Sequence, residues 1–281
     1  MNWITDVKIP IGAWAKAFVD WLTSNADWFF NQLAFVLAHV ISGLLFVLQK
    51  PHPLIVVLGI SAIAYWLRRS IVVALFTGLG LLFIMNQGYW KETTETLALV
   101  LASTFVSMIV GIPLGIAAAR RAWVYSALRP ILDLMQTIPT FVYLIPALIL
   151  FGLGMVPGLI ATVIFAIPAP IRLTRLGIIS TPPSLVEAAE SFGATPMQVL
   201  RKVELPYAMP QIMAGLTQTI MLSLSMVVIA ALVGADGLGV PVVRALNTVN
   251  VAKGFEAGLC IVILAIILDR MFRTAGEGDG V

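Results

Sequence analysis

Of the 281 residues, 60% are hydrophobic and 11% charged, with a formal net charge of +3; soluble domains are about half apolar and about a quarter charged. That much apolar surface cannot be hidden in a fold surrounded by water, so the chain is expected to sit in lipid. The single cysteine, Cys260, excludes an internal disulfide, and His39 and His52 lack ligand-spaced partners, so no metal site is expected.

Residues 1–31 do not read as a cleaved leader, because Asp6, Lys8 and Pro10 interrupt them and no apolar stretch precedes a small-x-small site. Trp14, Phe18, Trp21, Trp28 and Phe29 mix with Lys16, Asp20 and Asp27, which predicts an amphipathic helix at the membrane interface. Eight apolar segments follow, at about 32–49, 54–67, 71–86, 93–119, 128–152, 155–171, 208–233 and 255–272. A hydrocarbon core of ~30 Å needs roughly 20 helical residues, so 54–67 and 71–86 are short. Arg68-Arg69-Ser70 between them predicts two spans and a tight turn, since a charged pair at mid-bilayer is costly. The fold class is therefore all-α: a polytopic integral membrane protein with eight transmembrane helices, or seven if the first segment lies flat in the interface.

Lysine and arginine set the direction. With both ends in the cytoplasm, the inside positions hold Arg68, Arg69, Arg120, Arg121, Arg129, Arg172, Arg175, Arg201, Lys202, Arg270 and Arg273, while Lys50, Lys91, Arg244 and Lys253 fall outside. The positive net charge thus reflects topology and does not imply nucleic acid. Within the spans, Ser103, Ser107, Gly111 and Gly115 form a small-residue stripe, echoed by Gly215, Thr219 and Ser223. Such stripes let helix backbones approach closely, either within the chain or at a subunit interface. Pro139 and Pro146 predict a kink in the fifth span, and Gln136, Thr137 and Thr140 can re-satisfy the freed carbonyls. That kinked polar stretch, Gln136, Thr137, Pro139 and Thr140, is the candidate border of a translocation path. Asp133 is the deepest-looking carboxylate, but Arg129 four residues earlier predicts an interfacial ion pair. Arg172 and Arg175 are expected to snorkel to the same surface. Gly234-Ala-Asp-Gly-Leu-Gly239 lacks the GxGxxG order and reads as a tight external turn, followed by a polar loop; Asp236, Arg244 and Asn247 are the candidate external residues.

Between the sixth and seventh spans lies the polar segment 184–206, SLVEAAESFGATPMQVLRKVELP. Ser184 with Glu187 reads as a capping box, Gly193 as the left-handed end of a short helix, and Thr195-Pro196 with Gln198 as the capped start of a second helix that Pro206 stops. Two short helices hinged at Gly193 on the cytoplasmic face form a rigid elbow suited to hold another protein.

Glu187-Ala188-Ala189, Gly193 and Val203-Glu204-Leu205-Pro206 resemble the EAA loop of ABC-importer permeases, whose pattern ends Ile-x-Leu-Pro; Val203 is the departure. The runs MQTIPTFVYLIPALILFGLG (135–154), IPAPIRLTRLGI (167–178), MVVIAALVGADGLG (226–239) and IVILAIILDR (261–270) resemble permeases for glycine betaine, proline betaine and choline. The first 90 residues are similar to that family in hydropathy alone. The resemblance implies a five-helix type I importer core over 93–273, with a cytoplasmic coupling loop at 174–206 built on Ser184, Glu187, Ala188, Ala189, Gly193, Thr195, Leu205 and Pro206. It implies an interfacial segment at 1–31, variable helices at 32–92 and a tail at 274–281. It implies two ABC ATPase subunits, a second permease copy, and a periplasmic or lipid-anchored binding protein as partners in the bacterial plasma membrane.

No Gly-Lys pair occurs anywhere in the chain, so it has no phosphate-binding Walker loop, and ATP with its Mg²⁺ is expected on a separate subunit. No catalytic constellation is evident either, so the chain is not expected to be an enzyme. An ion-gradient-driven transporter would be expected to carry paired buried carboxylates and inverted repeats, which are not evident. A membrane scaffold remains the other alternative. A DNA-binding helix-turn-helix is excluded by Glu187, Glu190, Glu204 and the flanking spans.

Overall fold

The computed structural model describes residues 10–273. The first nine residues of the expected interfacial segment, and the expected tail 274–281, lie outside the described residues. Every regular element among those described is helical.

Helix α1 (Ile11–Gln49) joins the interfacial segment and the first apolar segment into one rod, bent at Ala26 where φ is −123° and ψ 15°. Trp14, Phe18, Trp21 and Trp28 stand exposed along it. Its residues 30–49 meet the bundle at both ends: the Phe30 ring lies 5.6 Å from that of Phe151, and Gln49 Nε2 donates to Thr94 Oγ1 at 2.9 Å. Helices α2 (Pro53–Arg68) and α3 (Ile71–Asn86) form a hairpin turned by Arg69, whose φ of 49° is left-handed. At 16 residues each they are about 24 Å long, shorter than a hydrocarbon core.

Helix α4 (Trp90–Arg120) begins the core. The expected fifth span is not one helix. Pro139 has no N–H and drives Ile138 into an extended conformation (φ −66°, ψ 130°), so α5 (Ala122–Thr137) stops and α6 (Thr140–Phe151) restarts at 98° to it. Helices α7 (Met155–Ala166) and α8 (Pro168–Ile179) run on as one, because Ile167 keeps helical angles (φ −59°, ψ −27°) and Pro168 falls at a first helical position. Residues 174–179 of the expected coupling loop therefore complete a core helix, and the projecting part begins at Ser180.

Next come α9 (Pro183–Ser191), α10 (Pro196–Val199), a π-turn at Leu200–Glu204 and α11 (Leu205–Ala231). The chain ends with α12 (Gly239–Asn247) and α13 (Val251–Phe272). By length and composition, five described runs can cross a membrane: 11–49, 90–120, 155–179, 196–231 and 251–272. The bent pair α5–α6 makes six, against the eight spans expected, with α2 and α3 apolar but shorter.

Helices α4, α8 and α11 pack most closely together. The small-residue stripes explain how, and they work within the chain. A Cβ at Gly111 would stand 2.7 Å from Pro170 Cγ, and one at Gly115 would stand 2.8 Å from the Ile171 carbonyl oxygen. A Cβ at Gly177 would fall 2.9 Å from that of Ala208. Ser103 Oγ donates to Ser223 Oγ at 3.1 Å, joining α4 to α11 in the buried seam. Substituting Gly115 by alanine should therefore lower stability by about 1–3 kcal/mol, since the obstruction is backbone. Thermal unfolding of the detergent-purified chain checks this against Gly258→Ala, where an added Cβ meets nothing within 4 Å and no loss is expected.

Candidate functional site

The segment between α8 and α11 projects from one end of the bundle. Its first limb, α9, starts differently from the sequence expectation. Pro182 (φ −55°, ψ 129°) occupies the cap and Pro183 the first helical position, so Ser184 lies inside the helix and makes no capping box with Glu187. Proline at the first helical position starts the helix instead, since its missing N–H would have had no partner within the helix and its fixed φ is already helical. The limb ends in a Schellman motif. Gly193 has a φ of +78°, its N–H donates to the Glu190 carbonyl at 2.8 Å, and Ala194 N–H donates to the Ala189 carbonyl at 3.1 Å. Ser191 Oγ donates to the Glu187 carbonyl at 2.8 Å.

The second limb carries the capping box read from the sequence: Gln198 N–H donates to Thr195 Oγ1 at 3.4 Å, and Thr195 N–H to Gln198 Oε1 at 2.7 Å. Pro206 does not stop this helix. Its ring would crowd a regular turn, and the backbone widens instead: Leu205 N–H donates to the Leu200 carbonyl, five residues back, and the helix continues through Pro206 into α11. Glu187, Ala188 and Gly193 are exposed and Ala189 half-buried, whereas Leu205 seats the elbow on the core.

Phe192, which sequence reasoning passed over, is 92% exposed at the apex, with Leu185 and Met197 exposed nearby in sequence. The available signal was a lone aromatic before a left-handed glycine in a polar stretch.

Arginines tie the elbow end together. Arg120 Nη2 donates to Glu204 Oε2 at 2.7 Å and to the Pro196 carbonyl at 3.1 Å. Arg172 donates to Asp133 Oδ1 at 2.6 Å and to Gln136 Oε1 at 3.1 Å, joining α8 to α5. Arg129 stands 4.0 Å from Asp133, so the expected i,i+4 pair is secondary to Arg172. Half-exposed pairs of this kind contribute only about 0.2–1 kcal/mol. Arg175 does not snorkel freely; its guanidinium lies 3.5 Å from the centre of the Tyr125 ring. Arg68 donates to the Arg273 carbonyl.

The candidate path residues Gln136, Thr137, Pro139 and Thr140 come together at the 98° break between α5 and α6. Gln136 and Thr140 are half-buried; Thr137 and Pro139 are exposed. Pro146 lies within α6.

At the opposite end, Gly234 (φ +83°) and Gly237 (φ +132°) make the tight turn. Leu238 N–H donates to Thr96 Oγ1 at 2.8 Å, pinning the turn to α4. Arg244 and Asn247 line a hollow of about 260 Å³ with Val240, Val243 and Thr248. Asp236 is exposed and is not among its walls, so the three candidate external residues do not form one site. Asp133 is not the deepest carboxylate: Glu95 is only 7% exposed, with Lys91 Nζ 3.7 Å away. Among the described residues, no three His, Cys, Asp or Glu side chains gather as a metal site.

Comparison with known proteins agrees with this geometry. Residues 111–274 match the family described as binding-protein-dependent transport system inner membrane component. The chain is 47% identical to the glycine betaine transport system permease protein OpuAB of Bacillus subtilis (strain 168), over 94% of this chain and 93% of that one. It is 42% identical to the glycine betaine/proline betaine transport system permease protein ProW of Escherichia coli (strain K12), over 96% of this chain and 76% of the relative. Among solved structures, a chain of the methionine ABC transporter MetNI in inward-facing conformations is similar, with a TM-score of 0.57 and 26% identity, covering 62% of this chain and 88% of that one.

Gly193 has open space around it, so a substitution there meets only the penalty of the left-handed backbone. Gly193→Val should destabilise the elbow by about 1–2 kcal/mol, and Gly193→Asn by clearly less. Hydrogen exchange of the amides in 188–199 in the purified chain reads both.

Proposed function

The chain belongs to the family of binding-protein-dependent transport system inner membrane components, and on that footing we propose that it is the membrane-spanning permease subunit of an ATP-driven importer for a quaternary-ammonium osmolyte such as glycine betaine, proline betaine or choline. The observation that carries this is the elbow: a stiff bent projection, fixed by its own hydrogen bonds, in a chain without a Walker loop. The extended similarity to betaine permeases supports the substrate class.

In this reading the elbow faces the cytoplasm, as the clustering of arginines at its end supports. Each of two copies docks its elbow on one of two ATPase subunits. Phe192 is the anchor: a large aromatic presented to solvent becomes a binding hot spot once a pocket desolvates it. Ala188 and Ala189 let the first limb seat closely. Glu187 and Glu190 offer carboxylates to a basic rim. ATP-driven closure of the ATPases moves the elbows and switches the spans between inward- and outward-open states. Nucleotide achieves this only by binding one arrangement more tightly than the other. A binding protein delivers solute at the far end, where the glycine turn and α12 lie. The solute passes the break between α5 and α6, where backbone carbonyls freed by Pro139, with Gln136, Thr137 and Thr140, offer uncharged oxygen and nitrogen to a zwitterion or cation.

Two experiments test the reading. Replacing Phe192 by alanine should leave the thermal stability of the isolated chain unchanged and weaken ATPase binding by about 2 kcal/mol, roughly thirtyfold, in a titration of the detergent-solubilised subunits. The intact complex should co-purify with an ATPase whose hydrolysis rises when glycine betaine and the binding protein are added. Uptake by the purified chain with no ATPase attached, or labelling of Met197→Cys only from outside intact cells, would overturn the proposal.

A further inference from the structure

Residues 200–204 form a wide i→i+5 turn set into an otherwise regular helix. A push on the second limb of the elbow has to cross this turn, where Leu200 and Leu205 pack with Ile112, Ile116 and Ala119 of α4, before it reaches α11. Arg120, the last residue of α4, bridges this turn. Its Nη2 reaches the Pro196 carbonyl at 3.1 Å, at the start of the second limb, and Glu204 at 2.7 Å, at the end of the π-turn. The Glu204 side chain is only 12% exposed and that of Arg120 34%, so water competes less here than at the other ion pairs of this end. A planar guanidinium holds two acceptors at a fixed mutual geometry; an ammonium does not. The residue after Arg120 is the extended Arg121 (φ −134°, ψ 107°), the short joint from which α5 and the broken unit α5–α6 hang.

We propose that Arg120 is a positioning residue that yokes the second limb of the elbow to the α4–α5 joint, so that displacement of the elbow is delivered to the bent unit α5–α6. The inference rests on the elbow being the ATPase docking site. It assigns a role to a residue outside the loop motif, and it makes Glu204, at the unspecified position of that motif, its counterpart.

The test uses the permease–ATPase complex in lipid nanodiscs, with a spin label on Ile145→Cys, an exposed position of α6. Three quantities are read: ATPase retained, ATP hydrolysed, and the change in label-to-label distance when ATP and vanadate are added. The expected result is that Arg120→Gln and Glu204→Gln retain the ATPase and its hydrolysis, while the distance change shrinks about two- to fivefold. Arg120→Glu combined with Glu204→Arg should regain most of it, and Arg120→Lys should fall between. A merely structural contact would lower the yield of complex and leave the distance change intact. Glu204→Gln keeps the shape of the side chain, so the question stays answerable should Arg120→Gln fail to fold. An undiminished distance change in both single variants overturns the yoke. So does a wild-type complex that hydrolyses ATP without moving the label, or loss of the ATPase from an Arg120→Gln chain that is itself folded. Absence of ATPase from the wild-type chain instead sinks the docking reading on which the yoke depends.

Discussion

Helices α4 and α8 lie so close at Gly111 and Gly115 that a single methyl group there would collide with Pro170, with Thr174 and with the Ile171 carbonyl. In lipid there is no hydrophobic force to press two apolar helices together, because the acyl chains are as apolar as the helices. What holds them is dispersion over a long shared surface, which requires the approach that glycine allows. The seam extends to α11 through Gly177 against Ala208 and through the Ser103–Ser223 hydrogen bond. The helices that carry the two ends of the elbow, α8 and α11, are thereby locked to each other and to α4. A push on the elbow meets a solid three-helix block and cannot be dissipated by sliding between its members.

Against that block, the prolines mark where the chain can bend, and they do so in three ways. Pro139 stops α5 and turns the path through 98°. Pro168 is passed without interruption, since it falls where a helix needs no N–H. Pro206 is accommodated by widening the helix by one residue. The residue type is the same each time; the outcome depends on whether nearby groups can take up the freed carbonyl and whether packing keeps the preceding residue helical. Ile138 has gone extended, while Ile167 is buried in a cluster with Leu132 and Ile171 that keeps it helical.

This explains which parts of the fold and site were legible in the sequence. Features set by a few adjacent residues were readable: the left-handed end at Gly193, the Thr195–Gln198 box, the Arg69 turn and the small-residue stripes. Their cause is local sterics and hydrogen bonding. Features decided by packing were not, and one local feature was misread: the Ser184 box loses to the Pro182-Pro183 start just before it. The short α2 and α3 were readable from 54–67 and 71–86, but the fifth span, expected to kink, breaks outright into α5 and α6, because hydropathy records how apolar a stretch is and not how far it bends. Glu95 was overlooked because nothing in its neighbours says that α4 is buried there. The Arg120–Glu204 contact joins residues 84 apart in sequence, beyond the reach of any local pattern. Phe192 escaped for the opposite reason: its meaning lies in touching nothing.

The distribution of polar ties follows from the same physics and bears on how motion travels. An ion pair within hydrocarbon would be expensive to form, and one in open water would be weak. The ties at the elbow end sit at the rim of the helix block, where Arg120–Glu204 joins the end of α4 to the π-turn and Arg172–Asp133 joins α8 to α5. The seam gives the core one arrangement. The tie at Asp133 has a second partner within reach: Arg172 stands at 2.6 Å and Arg129 at 4.0 Å. Leu144 of α6 and Leu132 of α5 are buried in clusters with residues of α7, α8 and α11, so a second arrangement of the bent unit has to exchange apolar contacts along with the polar tie at Asp133.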